Sequence, residues 1–170
     1  EVVEIGSFKG LSSCWLAMGL MMGKVSGKAF AIDHFRGSPE HQPGQKFVDK
    51  DIAASGSTRA IFDATLSSKG LTGHVEAIPM ASVEAAEEWR RRGARPIRLV
   101  FIDGDHSYEA SAQDFALWSE FVTPGGYVAF HDVNAWEGVT RFVGELVAAK
   151  GVFKPMFAVD SIRVFQRSMA

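Results

Sequence analysis

Five residues able to do acid–base or metal chemistry fall at the ends of two apolar runs. Asp103, Asp105 and His106 follow Ile97–Ile102, and His131 and Asp132 follow Tyr127–Phe130. Two carboxylates facing one crevice repel each other unless a proton or a cation lies between them. A hard divalent ion such as Mg²⁺ prefers oxygen ligands and keeps some of its waters. The imidazole of His131 adds a nitrogen donor better suited to a transition metal. Asp103, Asp132 and His131 are therefore the candidate metal ligands. His106 is three residues beyond Asp103, where a neutral imidazole could take the proton of a bound hydroxyl. The plainer reading makes Asp105 or Ser107 a helix cap and packs His106 against Tyr108. His34 and His41 fall in a polar stretch and are expected in solvent.

A second group lies at the start of the chain. Val2–Ile5 is a short apolar run that leads straight into Gly6-Ser7-Phe8-Lys9-Gly10, and a helical pattern opens at Leu11. Gly6 and Gly10 have no Cβ, so the backbone can turn tightly and a ligand can come close. The unpaired N–H groups of the first helical turn face the same crevice. The spacing is G-x-x-x-G, not the dinucleotide G-x-G-x-x-G. A strand-to-helix turn without a ligand is the alternative. Asp33 ends the next apolar run, where a carboxylate can accept hydrogen bonds from a sugar diol. It could equally serve as a turn residue or a cap.

These residues need a scaffold that brings strand ends together. Strand patterns at Val2–Ile5, Lys28–Ile32, His74–Ile78, Ile97–Ile102 and Tyr127–Phe130 alternate with helical patterns. The helices are expected at Leu11–Met22, Ser57–Ser68, Ser82–Arg92, Ser107–Phe121 and Gly138–Lys150. Such alternation predicts an α/β fold: a Rossmann-like, doubly wound parallel sheet with helices on both faces. Leu99-Val100-Phe101-Ile102 is continuously apolar, as burial on both faces requires. Phe153–Val159 and Ser161–Gln166 leave no room for a helix, so five parallel strands should be followed by an antiparallel hairpin. His34 to Gly56 is polar and carries Pro39 and Pro43. It is either a lid over the strand ends or a disordered insertion.

Length and composition set the outer limits. One domain is expected across residues 1–170. With 46% hydrophobic residues the chain suits a soluble globular protein, and 18 basic against 20 acidic residues argue against a general polyanion binder. Arg90, Arg91, Arg92, Arg95 and Arg98 form a short basic cluster that reads as a solvated helix end, so no nucleic-acid partner is expected. Cys14 is the one cysteine and excludes an internal disulfide, in keeping with a cytoplasmic location. No apolar run is long enough to span a membrane. The sequence opens at Glu1, inside the first strand and without an initiator Met, so a preceding N-terminal segment is expected.

Four blocks in this order resemble class I S-adenosylmethionine-dependent methyltransferases, and more narrowly the macrocin-type O-methyltransferase branch. They are Glu4-Ile5-Gly6-Ser7-Phe8-Lys9-Gly10, Ala31-Ile32-Asp33, Phe101-Ile102-Asp103-Gly104-Asp105-His106-Ser107-Tyr108 and Pro124-Gly125-Gly126-Tyr127-Val128-Ala129-Phe130-His131-Asp132. The resemblance covers essentially the whole chain. It implies S-adenosylmethionine as cofactor, with Glu4, Gly6, Ser7, Gly10, Asp33, Ser82 and Asp103 around it. The methionine part would lie over the glycine turn, the ribose at Asp33, and the adenine near Met80, Ala81 and Ser82. Many relatives carry an acid near that adenine position, where this chain has Met80-Ala81. The resemblance also implies Mg²⁺ or another divalent cation at Asp103 and Asp132, with His106 and Asp103 as the catalytic pair. Val133 stands where catechol-type relatives have Asn, and His131 where macrocin-type relatives have an acid. The implied reaction is O-methylation of a small molecule or sugar hydroxyl. Other readings are a nicotinamide-dependent oxidoreductase and a Rossmann-like binding domain without catalysis. The expected partners are a small-molecule methyl acceptor and, at most, a second copy in a homodimer, with no membrane.

Overall fold

In the computed structural model, which describes residues 1–169, seven strands form one sheet in the order β3-β2-β1-β4-β5-β7-β6. The strands are β1 (Val2–Ile5), β2 (Ala29–Ile32), β3 (Val75–Ile78), β4 (Ile97–Ile102), β5 (Val122–Phe130), β6 (Phe153–Val159) and β7 (Ile162–Arg167). β1 to β5 run parallel, and β7 lies antiparallel between β5 and β6. The helices are α1 (Leu11–Met22), α2 (Lys50–Ser55), α3 (Arg59–Ser68), α4 (Ser82–Arg91), α5 (Tyr108–Trp118) and α6 (Glu137–Ala148).

Side-chain alternation along the strands divides the core into two layers. Val3 and Ile5 of β1 and Phe30 and Ile32 of β2 pack with Trp89, Trp118, Val139 and Val143 of α4, α5 and α6. Ala29 and Ala31 of β2 face the other way, onto Cys14 and Ala17 of α1 and Phe62 and Leu66 of α3. Trp118, Phe30 and Phe62 are among the largest fully buried side chains. Each such side chain stabilises the fold by roughly 1.5–3 kcal/mol through burial.

The expected architecture is borne out, with three adjustments. β5 begins at Val122, five residues before the apolar run, because Val122 already pairs with Ile97 and the chain bulges through Gly125, at φ +72°, before Tyr127 pairs with Leu99. The polar stretch from His34 to Gly56 is ordered: a one-turn 3₁₀ segment at Pro39–His41 and then α2, which Asp49 caps by accepting from the N–H groups of Asp51 and Ile52. α5 stops at Trp118, and Ser119–Phe121 continues it as a 3₁₀ turn.

The sheet also places the chemistry. Ile5 is level with Ile32 and Ile102, and Ile102 with Phe130. One residue further on, the ladder continues through Gly6 N–H to Ile32 O, Asp33 N–H to Ile78 O, Asp103 N–H to Ile5 O and His131 N–H to Ile102 O. Gly6, Asp33, Asp103 and His131 therefore stand in one row along the carboxyl edge, where open α/β sheets bind ligands.

Candidate active site

A single cleft of about 1280 Å³ opens above that row. This exceeds the roughly 300–1,000 Å³ of an ordinary small-molecule site, so a nucleoside and a second ligand fit together. Gly6, Ser7, Asp33, Ser82, Asp103, His106, His131 and Asp132 all line it.

At the glycine turn, Gly6 has φ +84° and a Cβ there would lie 2.1 Å from the Asp103 carbonyl oxygen. The turn thus lies directly on the end of β4. No side chain caps the start of α1, so its first N–H groups remain available to an anionic group. Asp33 secures the turn from the neighbouring strand. Its Oδ2 accepts from the N–H groups of Ser7 (2.9 Å) and Phe8 (2.7 Å), and Oδ1 accepts from Phe35 N–H (2.5 Å). A carboxylate offers about four acceptor sites, so capacity for a ligand hydroxyl remains. The turn role and the ligand role suggested by the sequence are compatible.

Two of the expected cofactor residues are off the cleft wall. Glu4 points away from it because alternation along β1 turns its side chain under α1. It is buried among the hydroxyls of Ser7, Ser12 and Ser13, and Ser13 Oγ–H donates to its Oε2. Burial pushes its pKa up to about 7, and the serine hydroxyls only partly oppose that. Gly10, at φ +85°, is the left-handed residue that starts α1, and a Cβ there would press on the Phe62 ring at 3.0 Å. Both shape the turn from beneath.

At the other end of the row, Asp103, His131 and Asp132 each offer a ligand atom within 4.8 Å of the others. His131 Nδ1 is 3.0 Å from Asp103 Oδ1 and 3.2 Å from Asp132 Oδ1, yet it is buried and makes no hydrogen bond of good geometry with either. The Asp103 carboxylate, and then Asp132, hold the His131 pKa up at about 9 against the opposing effect of burial. A protonated imidazole so placed offsets the charge of the two acids. Two carboxylate oxygens and a buried nitrogen without a proper partner are also a fitting donor set for a divalent ion. Asp132 has φ +58°, a strained conformation for a residue with a side chain.

His106 stands between two carboxylates. Nδ1 is 2.8 Å from Glu40 Oε1 and Nε2 is 2.9 Å from Asp132 Oδ2. Its ring stacks on Trp136, not on Tyr108, whose hydroxyl donates to Glu145. Glu40 comes from the Pro39–His41 turn, so the polar stretch is a lid. Gly37, Ser38, Pro39, His41 and Gln42 of this stretch line the cleft, and Lys9 Nζ ties it down through Asp49 and Asp51, each at 2.6 Å. His41, expected in solvent, instead stacks on Phe8. Ser107 caps α5 by accepting from Ala110 N–H, and Asp105 accepts from Ser107 N–H.

Sequence reasoning missed Glu40, Trp136 and Asp114. The first two lie in segments whose local pattern carries no signal for the strand ends. Asp114 had a signal: a lone acid on the face of α5 that also carries Ser111 and Trp118, both buried. The basic cluster is largely engaged: Arg90 pairs with Glu120, Arg91 and Arg92 pair with Glu88, and Arg95 lies over the Trp89 and Phe30 rings.

Residues 3–133 match the methyltransferase-domain family model, and the chain belongs to that family. It is 34% identical over 61 residues to an uncharacterised protein of Acanthamoeba polyphaga mimivirus, covering 32% of this chain. It is 25% identical over 155 residues to one from Sinorhizobium fredii, covering 88% of this chain. The matches span 28% and 15% of those two proteins. Among solved structures, the O-methyltransferase NovP superposes with a TM-score of 0.71 at 17% identity over 99% of this chain and 72% of NovP. An O-methyltransferase from Bacillus cereus in complex with S-adenosylhomocysteine gives 0.66 at 20% over 98% and 73%. TomG from Streptomyces achromogenes, in complex with S-adenosylmethionine, gives 0.65 at 19% over 98% and 72%. Among the described residues no helix is long and apolar enough to cross a membrane.

Proposed function

We propose that the chain is an S-adenosylmethionine-dependent O-methyltransferase domain acting on a small-molecule hydroxyl. The observation that carries this reading is the single cleft that joins an uncapped glycine turn and Asp33 to the Asp103–His106–His131–Asp132 group. Gly6, Ser7, Asp33, Ser82 and Asp103 form the cofactor side, and Glu4 and Gly10 support the turn from below. S-adenosylmethionine, when bound, supplies a methyl group already activated by its sulfonium. A divalent cation on Asp103, Asp132 and His131 would orient the acceptor hydroxyl and increase its acidity.

The remaining work falls to the chain itself. Glu40 Oε1, 2.8 Å from Nδ1 of His106, favours a proton there, which would leave Nε2 as the basic nitrogen. Nε2 takes the acceptor's proton when the hydroxyl stands between it and Asp132 Oδ2, the two now 2.9 Å apart, and the flanking carboxylates stabilise the imidazolium that results. The lid residues Ser38, Pro39 and Gln42 keep bulk water from the acceptor. Phe8, Leu11, Trp15 and Leu16 give the remaining wall an apolar character, which favours an acceptor with an apolar body. Cys14 is buried and unpaired, in keeping with a reducing cytoplasm.

Calorimetric titration tests the cofactor. S-adenosylhomocysteine should bind with micromolar or better affinity, and NAD and NADP should not. Tight NAD binding without S-adenosylhomocysteine binding would overturn the reading in favour of an oxidoreductase. For the metal, methyl transfer to a panel of phenolic and sugar hydroxyls should fall in chelator and in Asp132→Ala. Undiminished turnover in chelator would remove the cation from the mechanism.

A further inference from the structure

β3 ends at Ile78, and the turn after it carries Met80-Ala81, neither of which offers a strong hydrogen-bond acceptor on its side chain. The wall opposite is made by α5. Ala110, Gln113 and Asp114 recur at helical spacing and line the same end of the cleft as Met80, Ala81 and Ser82. Asp114 is an unusual residue for a helix face packed on a sheet. It is 6% exposed and faces no cation, and its neighbours are the hydroxyl of Ser82 and the acid Asp105. Burial, reinforced by Asp105, keeps its pKa up at about 6 despite the Ser82 hydrogen bond.

The surroundings hold that carboxyl in place. Trp118, fully buried, donates its Nε1–H to Ser82 Oγ at 2.9 Å, which leaves the Ser82 hydroxyl hydrogen for Asp114. The Gly104 backbone lies beside it, with Asp114 Oδ2 3.4 Å from where a Cβ would stand. A buried acid costs stability unless it has a partner. One held against a cleft wall by two dedicated groups is placed to meet a donor on a ligand.

We propose that Asp114 reads the adenine of S-adenosylmethionine, accepting a hydrogen bond from the 6-amino group in place of the acid missing after β3. The proposal rests on the cofactor reading given above. The amino group of adenine is a donor, whereas the 6-oxo group of hypoxanthine is an acceptor. The Asp114 acceptor should therefore favour the first and repel the second. Asp114 would act as a specificity residue for the base, and its role is read on binding.

The test compares affinities for S-adenosylhomocysteine and S-inosylhomocysteine, its 6-oxo counterpart, by calorimetry within each variant. A ratio taken within one variant is insensitive to how much of that preparation is folded. The parent should prefer the adenosyl form by about tenfold or more, as sites do when a mismatch leaves a buried polar group unpaired. Asp114→Ala should bring the ratio to within about threefold of unity. Asp114→Asn, whose amide oxygen still accepts, should restore most of it. If Asp114→Ala yields no folded protein, Asp114→Ser is read in its place. An equal preference in the parent and the Ala or Ser variant overturns the role of Asp114 and leaves the cofactor reading intact. A parent that binds neither compound overturns both.

Discussion

The imidazole of His106 lies face to face with the indole of Trp136, with centroids 4.7 Å apart and planes 8° from parallel. Phe47 of the lid packs edge-on against the same indole at 5.4 Å. His106 is thus clamped by a ring on its face and by carboxylates on both nitrogens. His106→Ala should lower turnover by about 10²–10⁴, the usual worth of a general base, with cofactor affinity nearly unchanged. Trp136→Leu keeps the base but frees its ring, so it should lower single-turnover rate less than His106→Ala does. A large loss of S-adenosylhomocysteine affinity in His106→Ala would assign the residue to binding instead.

Gly6→Ala should not give a stable native fold. The added methyl would meet the Asp103 carbonyl at 2.1 Å in a backbone conformation that already disfavours a side chain. Gly44→Ala is the control: φ is also positive there, +86°, but nothing lies within 4 Å. It should cost about 1 kcal/mol, as αL strain alone does. Equal melting temperatures for the two variants would mean that the turn can shift away from β4.

Buried Glu4 makes stability depend on pH. Its carboxyl ordinarily titrates near 4.5, and in the fold near 7. Below about 4.5 both folded and unfolded chains hold the proton. Between these values the folded chain holds more, so stability contributed by the neutral acid is lost as pH rises from about 4.5 to 7 and does not return above it. Glu4→Gln removes that loss. Its melting temperature should gain on the parent's between pH 5 and pH 8, by an amount equivalent to about 3 kcal/mol at most. Parallel pH profiles would show that Glu4 is already ionised in the fold.

The lid depends on one cation. Lys9 reaches both Asp49 and Asp51 from the glycine turn, with its own side chain 25% exposed. Lys9→Met should speed hydrogen exchange across residues 38–52 by about 5–30-fold, the consequence of 1–2 kcal/mol of lost local stability, while exchange in β1 and β4 stays slow. Unchanged exchange in the lid would mean that its own Gln42 and Asp49 hydrogen bonds hold it.

Much of this fold is legible in the sequence because each strand ends on the residue that matters. The alternation of Ala29-Phe30-Ala31-Ile32, the run Leu99–Ile102 and the acids that follow them locate the parallel sheet and the row along its edge. The lid is legible only as one of two alternatives for the polar stretch. Its fold depends on Lys9 finding Asp49 and Asp51 and on Glu40 finding His106, contacts across 40 or more residues that no local pattern encodes. Glu4 shows the opposite limit. It sits in the motif, but side-chain alternation along β1 sends it under α1 and away from the cleft.

Pro155 bears on how the chain reaches this topology. After α6, the regular continuation would be a right-handed crossover placing β6 parallel beside β5. The strand that takes that place is β7, whose Arg163 pairs with Phe130, and β6 stays outside it. β6 emerges first from a ribosome, so for a time it is the nearest competitor for the open flank of β5. A strand with proline at its third residue lacks a ladder donor and is unsuited to an inner position. Pro155 therefore penalises the premature pairing in the nascent chain, and Pro155→Val should reveal it as slower refolding and more misassembled product, with little change in the native state.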